Sequence, residues 1–392
     1  MNDKLNLPAI QVNRRGEERI ESGHLWIYEA DIAGRGGAQG GDTVRVVTQR
    51  GRTAGIAHYS DSSKITLRLL SRHAEAADRA FYLRRLRAAV EHRARVVEHS
   101  DAYRLVHAEG DLLPGLIVDV YADTVVAQFL TQGMERVRGE IVACLDELLH
   151  PACLVARNDV PSRKHEKLAE TTETLVGAAP ERVSVRMNGL TLLADVVHGQ
   201  KTGVYLDQRE NYVAAARWAR GRALDCFSSA GGFALHCAAK CDSIEAVESS
   251  PAALEAARAN AAENHIENVS FREADVFEYL SGCVQARRRF QTIVLDPPAF
   301  AKSKPAVEGA LRAYREINLK ALKLLETGGV LVTCSCSYHI SEAALLETLA
   351  QAALEAGKTL RVLERRSQAQ DHPVLLTVPE TLYLKCLIVE AL

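Results

Sequence analysis

The second half of the chain alternates strand and helix, and that alternation narrows the possible folds more than any other feature. Residues 186–392 offer strand candidates at RALDCF, SIEAVE, VSFREA, TIVLD, GGVLVTCS and a late YLKCLIVEA. Helical patterns over 251–264, 311–326 and 341–356 lie between several of them. Strands separated by helices pair in parallel, and the helices cover the faces of the sheet. The pattern predicts an α/β fold with an open, mostly parallel sheet, in which ligands bind where the strands end.

Four successive strands carry an acid at that end. The first runs through Asp225–Cys226–Phe227–Ser228–Ser229–Ala230–Gly231–Gly232–Phe233, the second ends in Glu248, Asp275 follows the third, and Asp296 closes the fourth. Small residues after Asp225 let the backbone turn sharply and approach a ligand. A helix starting near Gly232 would present free N–H groups there. Glu248 stands 23 residues after Asp225, about the separation at which an acid accepts both ribose hydroxyls. Asp275 alone reads equally well as the N-cap of VFEYL. Jointly, the four acids predict a ligand site. The chain has neither G-x-G-x-x-G nor a Gly-Lys-Ser/Thr phosphate loop. The expected ligand is therefore a nucleoside without a pyrophosphate, with S-adenosylmethionine the obvious candidate.

The first half has two other textures. Residues 1–73 read as short strands with Gly-rich turns, a small β-barrel, including a hairpin that turns at Gln49–Arg52. Residues 74–185 open with an Arg-rich helix, ADRAFYLRRLRAAVEHRARVV. A hairpin turning at Ala122–Asp123 and an amphipathic helix, MERVRGEIVACLDELL, follow. The division expected is thus 1–73, 74–185 and 186–392, with net charges of +3, −4 and −1. The total of −2 excludes a wholly basic nucleic-acid coat but leaves room for a local basic face. No apolar run approaches a membrane span, and the N-terminus has no secretory h-region. Nine cysteines without a Cys-x-x-Cys pair read as reduced cytoplasmic thiols. The thirteen histidines show no ligand spacing, so no metal is expected.

D-x-F-S-x-x-G-G-F, the acid after the second strand, D-P-P after the fourth and S-C-S after the fifth resemble the class I methyltransferases that act on RNA. KTGVYLDQREN (201–211), GHLWIYEADI (23–32), YRLVHAEGDLLPGLIVD (103–119) and DHPVLLTVPETLYLK (371–385) extend the likeness essentially end to end. They resemble the PUA-domain-containing 23S ribosomal RNA (cytosine-C5) methyltransferases of the large subunit methyltransferase I type. The resemblance implies an N-terminal PUA β-barrel, a central α+β domain and a Rossmann-like catalytic domain. It implies that Asp225, Phe227, Ser228, Gly231 and Gly232 border the S-adenosylmethionine loop, that Glu248 holds the ribose, and that Asp275 contacts the adenine. Tyr205, Asp207, Gln208 and Arg209 would flank the cofactor or close over it. The partner implied is 23S ribosomal RNA or a large-subunit assembly particle, and the assembly implied is a homodimer.

Carbon 5 of cytosine is a poor nucleophile towards a methyl sulfonium. A thiolate adding at C6 makes it enamine-like, which splits one difficult step into easier ones. Two cysteines compete for this role in Thr333–Cys334–Ser335–Cys336–Ser337. Two apart on a strand, they can face the same way. Cys336 lies further towards the ligand end and falls on the family's catalytic position. Asp296 can hydrogen-bond the N3 or N4 edge of the base. Related RNA cytosine-C5 enzymes carry a second cysteine where this chain has Pro298, so the proton acceptor is unassigned, with Asp296 and an ordered water as candidates. Enzymes acting on exocyclic amines place an aromatic where this chain has Ala299; Phe300 is displaced by one.

A target base must leave its stack to reach such a pocket. Pro297, Pro298 and Phe300 would line it. Lys302 and Lys304 would meet phosphate nearby, and Arg14, Arg15, Arg84 and the other arginines of the 79–95 helix would grip the backbone. Two readings compete with cytosine-C5 chemistry: a methyltransferase with another target atom or RNA, and a non-catalytic ribosome-binding assembly factor.

Overall fold

Seven strands form the sheet expected of the second half. In chain order they are β1 (Gly221–Cys226), β2 (Cys241–Glu248), β3 (Val269–Glu273), β4 (Phe290–Leu295), β5 (Leu325–Ser335), β6 (Leu360–Arg366) and β7 (Lys385–Ala391). Their spatial order is β3-β2-β1-β4-β5-β7-β6. The first five are parallel, and β7 runs antiparallel between β5 and β6. The order reverses beside β1, between the turns leaving β1 and β4, the place where open α/β sheets bind their ligands.

Six helices accompany these strands: α1 (Arg209–Trp218), α2 (Gly232–Cys237), α3 (Pro251–Glu263), α4 (Val276–Gln285), α5 (Val307–Leu324) and α6 (Glu342–Glu355). Side-chain caps fix three of the starts. Ser250 accepts from the Ala253 amide, Asp275 from Glu278 and Ser341 from Ala344. Leu224, Cys226, Ile293, Leu295 and Leu331 point to one face and pack against Leu280 of α4, Tyr314 and Ile317 of α5 and Leu345 of α6. Their period of two puts Asp225 on the other face of β1.

The structure is a computed structural model describing residues 7–199, 202–301 and 303–392. The chain divides into two compact units. This sheet and its helices belong to the second, which comprises 184–193, 204–369 and 382–392. The first holds 1–183 with 194–203 and 370–381. It contains a six-stranded sheet between Ala9 and Ser71 and a five-stranded sheet between Ala102 and Gly177. The edge strands of the six-stranded sheet, Trp26–Tyr28 and Ile32–Gly34, are joined by only Glu29–Asp31. So short a link requires the sheet to curl until its edges approach, as in a barrel. The expected hairpins are present, one pairing Thr43–Val47 with Thr53–Tyr59 and the other Leu116–Tyr121 with Thr124–Phe129. The Arg-rich helix runs over Arg79–Val96.

Three details differ from the expected pattern. β6 was not predicted, because LRVLERR is an edge strand with little apolar alternation. The helix expected over 311–326 is α5, which starts at Val307 and stops at Leu324, since Leu325 already pairs with Phe290. Asp225 lies within β1 rather than at its end.

Candidate active site

The turn leaving β1 is built on strained backbone. Phe227, Ser229 and Gly231 all have left-handed conformations, with φ of 63°, 47° and 86°. Non-glycine residues rarely hold that region unless their surroundings enforce it. Gly231 needs no side chain for this reason. Gly232 has a different requirement: a Cβ there would come within 2.4 Å of the Tyr212 ring. It serves the packing of α2 on α1, where Tyr212 meets Phe233 edge-on and stacks on His236.

Asp225 accepts from the Ala234 amide at 2.9 Å through Oδ2. Its Oδ1 and the nearby Ser228 hydroxyl are buried without a hydrogen-bond partner. Burial drives the Asp225 carboxyl well above its ordinary range, and Asp296 and Glu248 add to the rise while the Ala234 amide opposes it. Glu248 reaches the same turn, accepting from the Ser229 amide at 3.0 Å and from the Ser249 and Ser250 amides. Asp275 caps α4 and is exposed.

The segment before α1 lies against the other side of this edge. Gln208 donates through Nε2 to Asp296 Oδ1 at 3.0 Å, and its Oε1 accepts from Asn211 at 2.7 Å. Asp207 accepts from the Tyr383 hydroxyl at 2.7 Å. Burial leads the causes that raise the Tyr205 hydroxyl, followed by Asp296, Asp207 and Cys336. Arg209 is buried, and its carbonyl accepts from Asn188.

Asp296 follows β4 directly, and its amide donates to the Cys226 carbonyl. Pro297 is buried, Pro298 exposed and Phe300 half-buried. Phe300 joins Phe227, Phe277 and Tyr314 in an aromatic wall with ring centroids 4.8–6.4 Å apart. Ser337 ties this loop to its neighbours, accepting from the Ala301 amide at 3.1 Å and bonding the Tyr314 hydroxyl at 3.0 Å. Between these ties stands Cys336, one residue past β5, its thiol 3.9 Å from the Pro297 carbonyl. The other eight cysteines are buried. Cys334 is among them, opposite Cys386 in register, and burial pushes its thiol well above the ordinary range.

Comparison with known proteins fits this arrangement. Residues 137–388 match the model of the S-adenosylmethionine-dependent methyltransferase family, and residues 10–72 match a PUA-like domain. The ribosomal RNA large subunit methyltransferase I of Shewanella denitrificans is 40% identical, covering 97% of this chain and 99% of that protein. The same-named protein of Tolumonas auensis is 38% identical over 98% and 99%. The chain belongs to the ribosomal RNA large subunit methyltransferase I family. A methyltransferase crystallised with SAH shares the fold over 98% of this chain and all of its own, at 19% identity and a TM-score of 0.85. A SAM-dependent methyltransferase from Streptococcus mutans does so with a TM-score of 0.83, also at 19% identity.

The methyltransferase's cofactor is S-adenosylmethionine, and the residues around β1 suit it. Two buried polar atoms without partners, Asp225 Oδ1 and Ser228 Oγ, flank a turn strained into position. Buried polar atoms are otherwise satisfied in folded proteins, so these two await a ligand group. Lys304 is exposed at the start of a short 3₁₀ turn, while Lys302 lies outside the described residues. In the first unit, Arg14 pairs with Glu18, Arg15 with Asp31 and Arg84 with Glu75, all three arginines exposed to solvent. Arg93 of the Arg-rich helix is buried against Asp111 and so serves the fold.

Asn211, Tyr314, Ser337, Tyr383 and Lys385 also hold this edge of the methyltransferase sheet and were not singled out in the sequence. Four of them lie in stretches that carry the family likeness: Asn211 in KTGVYLDQREN, Ser337 in S-C-S, and Tyr383 and Lys385 in DHPVLLTVPETLYLK. The signal was present, but a polar side chain anchored to backbone carbonyls has no spacing signature.

Proposed function

We propose that the protein methylates C5 of a cytosine in 23S ribosomal RNA through a covalent adduct between Cys336 and C6. One observation carries the reading: of nine free cysteines only Cys336 is not buried, and it stands where β5 ends, beside the loop of Asp296 and Pro297. A thiol at a ligand edge with eight core counterparts is placed for reaction rather than packing. The relatives' name supports ribosomal RNA as substrate.

When bound, S-adenosylmethionine supplies an electrophilic methyl group. Asp225, Phe227, Ser228, Gly231 and Gly232 border it, Glu248 takes the ribose hydroxyls and Asp275 the adenine edge. Tyr205, Asp207, Gln208 and Arg209 flank or close over the site. Cys336 adds to C6, and the electron pair of the C5–C6 double bond makes C5 nucleophilic. Asp296, aimed by Gln208, holds the N3–N4 edge of the base and stabilises a protonated N3. After C5 is methylated, its proton leaves to Asp296 or an ordered water. The Cys336 sulfur then departs, restoring the double bond. Pro297, Pro298 and Phe300 line the base site, and Lys302, Lys304, Arg14, Arg15 and Arg84 meet backbone phosphates.

The domain division expected at 73 and 185, a homodimeric assembly and a cytoplasmic setting complete the reading. The test uses labelled cofactor and unmodified large-subunit RNA, followed by digestion to nucleosides. Label in 5-methylcytidine is the expected result; label in N4-methylcytidine or in an adenosine overturns it. Sedimentation of the purified protein checks the dimer.

A further inference from the structure

Lys385 is a buried amine that the chemistry above does not use. It opens β7 opposite Ser335, the last residue of β5, and is 6% exposed. Its Nζ donates to the Ser337 carbonyl at 2.7 Å and to the Tyr383 carbonyl at 2.9 Å. Neither acceptor carries a charge, and among the described residues no carboxylate forms an ion pair with it. A buried ammonium without an anion is costly. Burial lowers its proton affinity to about 8, so it is mostly protonated at neutral pH, and Cys336 is the group that favours its charged form.

Ser337 immediately follows Cys336, so Lys385 is fastened to the turn that presents the thiol. Among the described residues, Tyr205 before α1 and Tyr314 on α5 also feel Cys336, and Asp296 after β4 acts on both tyrosines. Burial raises both tyrosine hydroxyls, which keeps them neutral, and Asp207 and Glu248 add negative charge near Tyr205. Asp296, Asp207 and Glu248 are negative and disfavour a thiolate at this turn. A cation fastened to the same turn opposes that field.

We propose that Lys385 is the counter-cation of the Cys336 thiolate, held by two carbonyls so that it stabilises the anion without removing its proton. The thiol proton passes to water, and the ammonium keeps all three of its own. This rests on the reading of Cys336 as nucleophile and makes Lys385 a positioning residue for it.

The test alkylates the full-length protein with iodoacetamide between pH 5 and 10 and follows the Cys336 peptide by mass spectrometry. The rate is expected to rise with a midpoint below about 7.5, against roughly 8.5 for an ordinary thiol. Lys385→Met should move the midpoint up by at least about one unit, slowing alkylation about tenfold at pH 6.5. Lys385→Arg, which keeps a cation, should retain most of the reactivity. An ordinary midpoint in the unmodified protein overturns the proposal without any variant. So does an unshifted midpoint in a Lys385→Met protein whose circular dichroism is native. The two readings separate cleanly. Full turnover by Cys336→Ala removes the nucleophile and with it the purpose of the pair, whereas an inactive Cys336→Ala beside an unshifted Lys385→Met removes only Lys385.

Discussion

The two units offer contrasting examples of buried charge. In the first, fully buried Asp31 lies between Arg15 and Arg19, Asp119 is held by Arg104, and Glu166 is met by Arg68. Arg93 grips Asp111 and also donates to the Asp371 carbonyl. In the second, Asp225 is buried with one oxygen unpartnered, and Lys385 is buried against carbonyls alone. Paired burial holds a fold together; unpaired burial costs stability and is retained where a ligand or a reacting group completes the pair. The contrast separates a part built for rigidity from a part built for chemistry.

The sharpest way to break this comparison is at the two cysteines. Cys336→Ala should lower methyl transfer by at least about ten-thousandfold, since removing a covalent nucleophile disables the whole catalytic unit. Cys334→Ala should stay within a few-fold and lose only about 1–2 kcal/mol of stability from a small cavity. Initial rates with labelled cofactor decide it, and equal losses in both variants would erase the distinction between reactive and core thiol.

The paired side is tested at Arg93. Arg93→Met leaves Asp111 buried without its cation, and unfolding free energy should fall by about 3–5 kcal/mol. Cofactor affinity measured by calorimetry at low temperature should be unchanged. The unpaired side should answer in reverse. Asp225→Asn removes a charge that burial disfavours, so the ligand-free protein should be no less stable. Its affinity for S-adenosylmethionine should nonetheless weaken roughly thirtyfold, about 2 kcal/mol, as expected for one lost hydrogen bond to a charged group. A variant that loses stability and keeps its affinity would place Asp225 with the structural charges.

How much of this was legible in the sequence follows the same division. The parallel sheet, its acids and Cys336 were readable because apolar periodicity and strand-end position are local properties of the chain. The choice between Cys334 and Cys336 rested on how far each lay towards the ligand end and on the family position. Burial now supports that choice, because Cys334 is shut against Cys386 while Cys336 has left the strand. The packing demand on Gly232 was not legible, since the ring that fills the space a side chain would need, Tyr212, lies twenty residues earlier. The Arg-rich helix was read as a phosphate grip; Arg93 within it is a core ion pair, and Arg79 and Arg84 have carboxylate partners in Glu147 and Glu75. Charge composition counts side chains but says nothing of whom they face. β6 was missed for a related reason: an edge strand takes its order from its neighbour, β7, rather than from its own pattern.

The smallest effect expected is a difference in the sign of pH dependence between the units. His58 is buried in the first, its Nε2 3.0 Å from the Tyr82 hydroxyl. Burial holds its proton affinity down to about 3, and Arg68 adds to the lowering. A group whose folded value lies below its unfolded one, about 6.5 for histidine, contributes stability above pH 6.5 and loses it as pH falls towards 3. Between pH 6.5 and 5.5 the loss should be about 1 kcal/mol. Asp225 acts in the other direction, because its raised carboxyl is least costly when protonated, so acidification relieves the second unit. His58→Gln keeps a hydrogen-bonding group for Tyr82 without the titration. Hydrogen exchange, corrected for intrinsic rates, should show the peptides around 53–59 and 79–96 losing protection on acidification in the parent and not in His58→Gln. The peptides around β1 should show no such loss in either protein. A uniform loss across both units would mean that the buried charges act on a single cooperative whole, and the division between a rigid part and a chemical part would then describe side chains but not energetics.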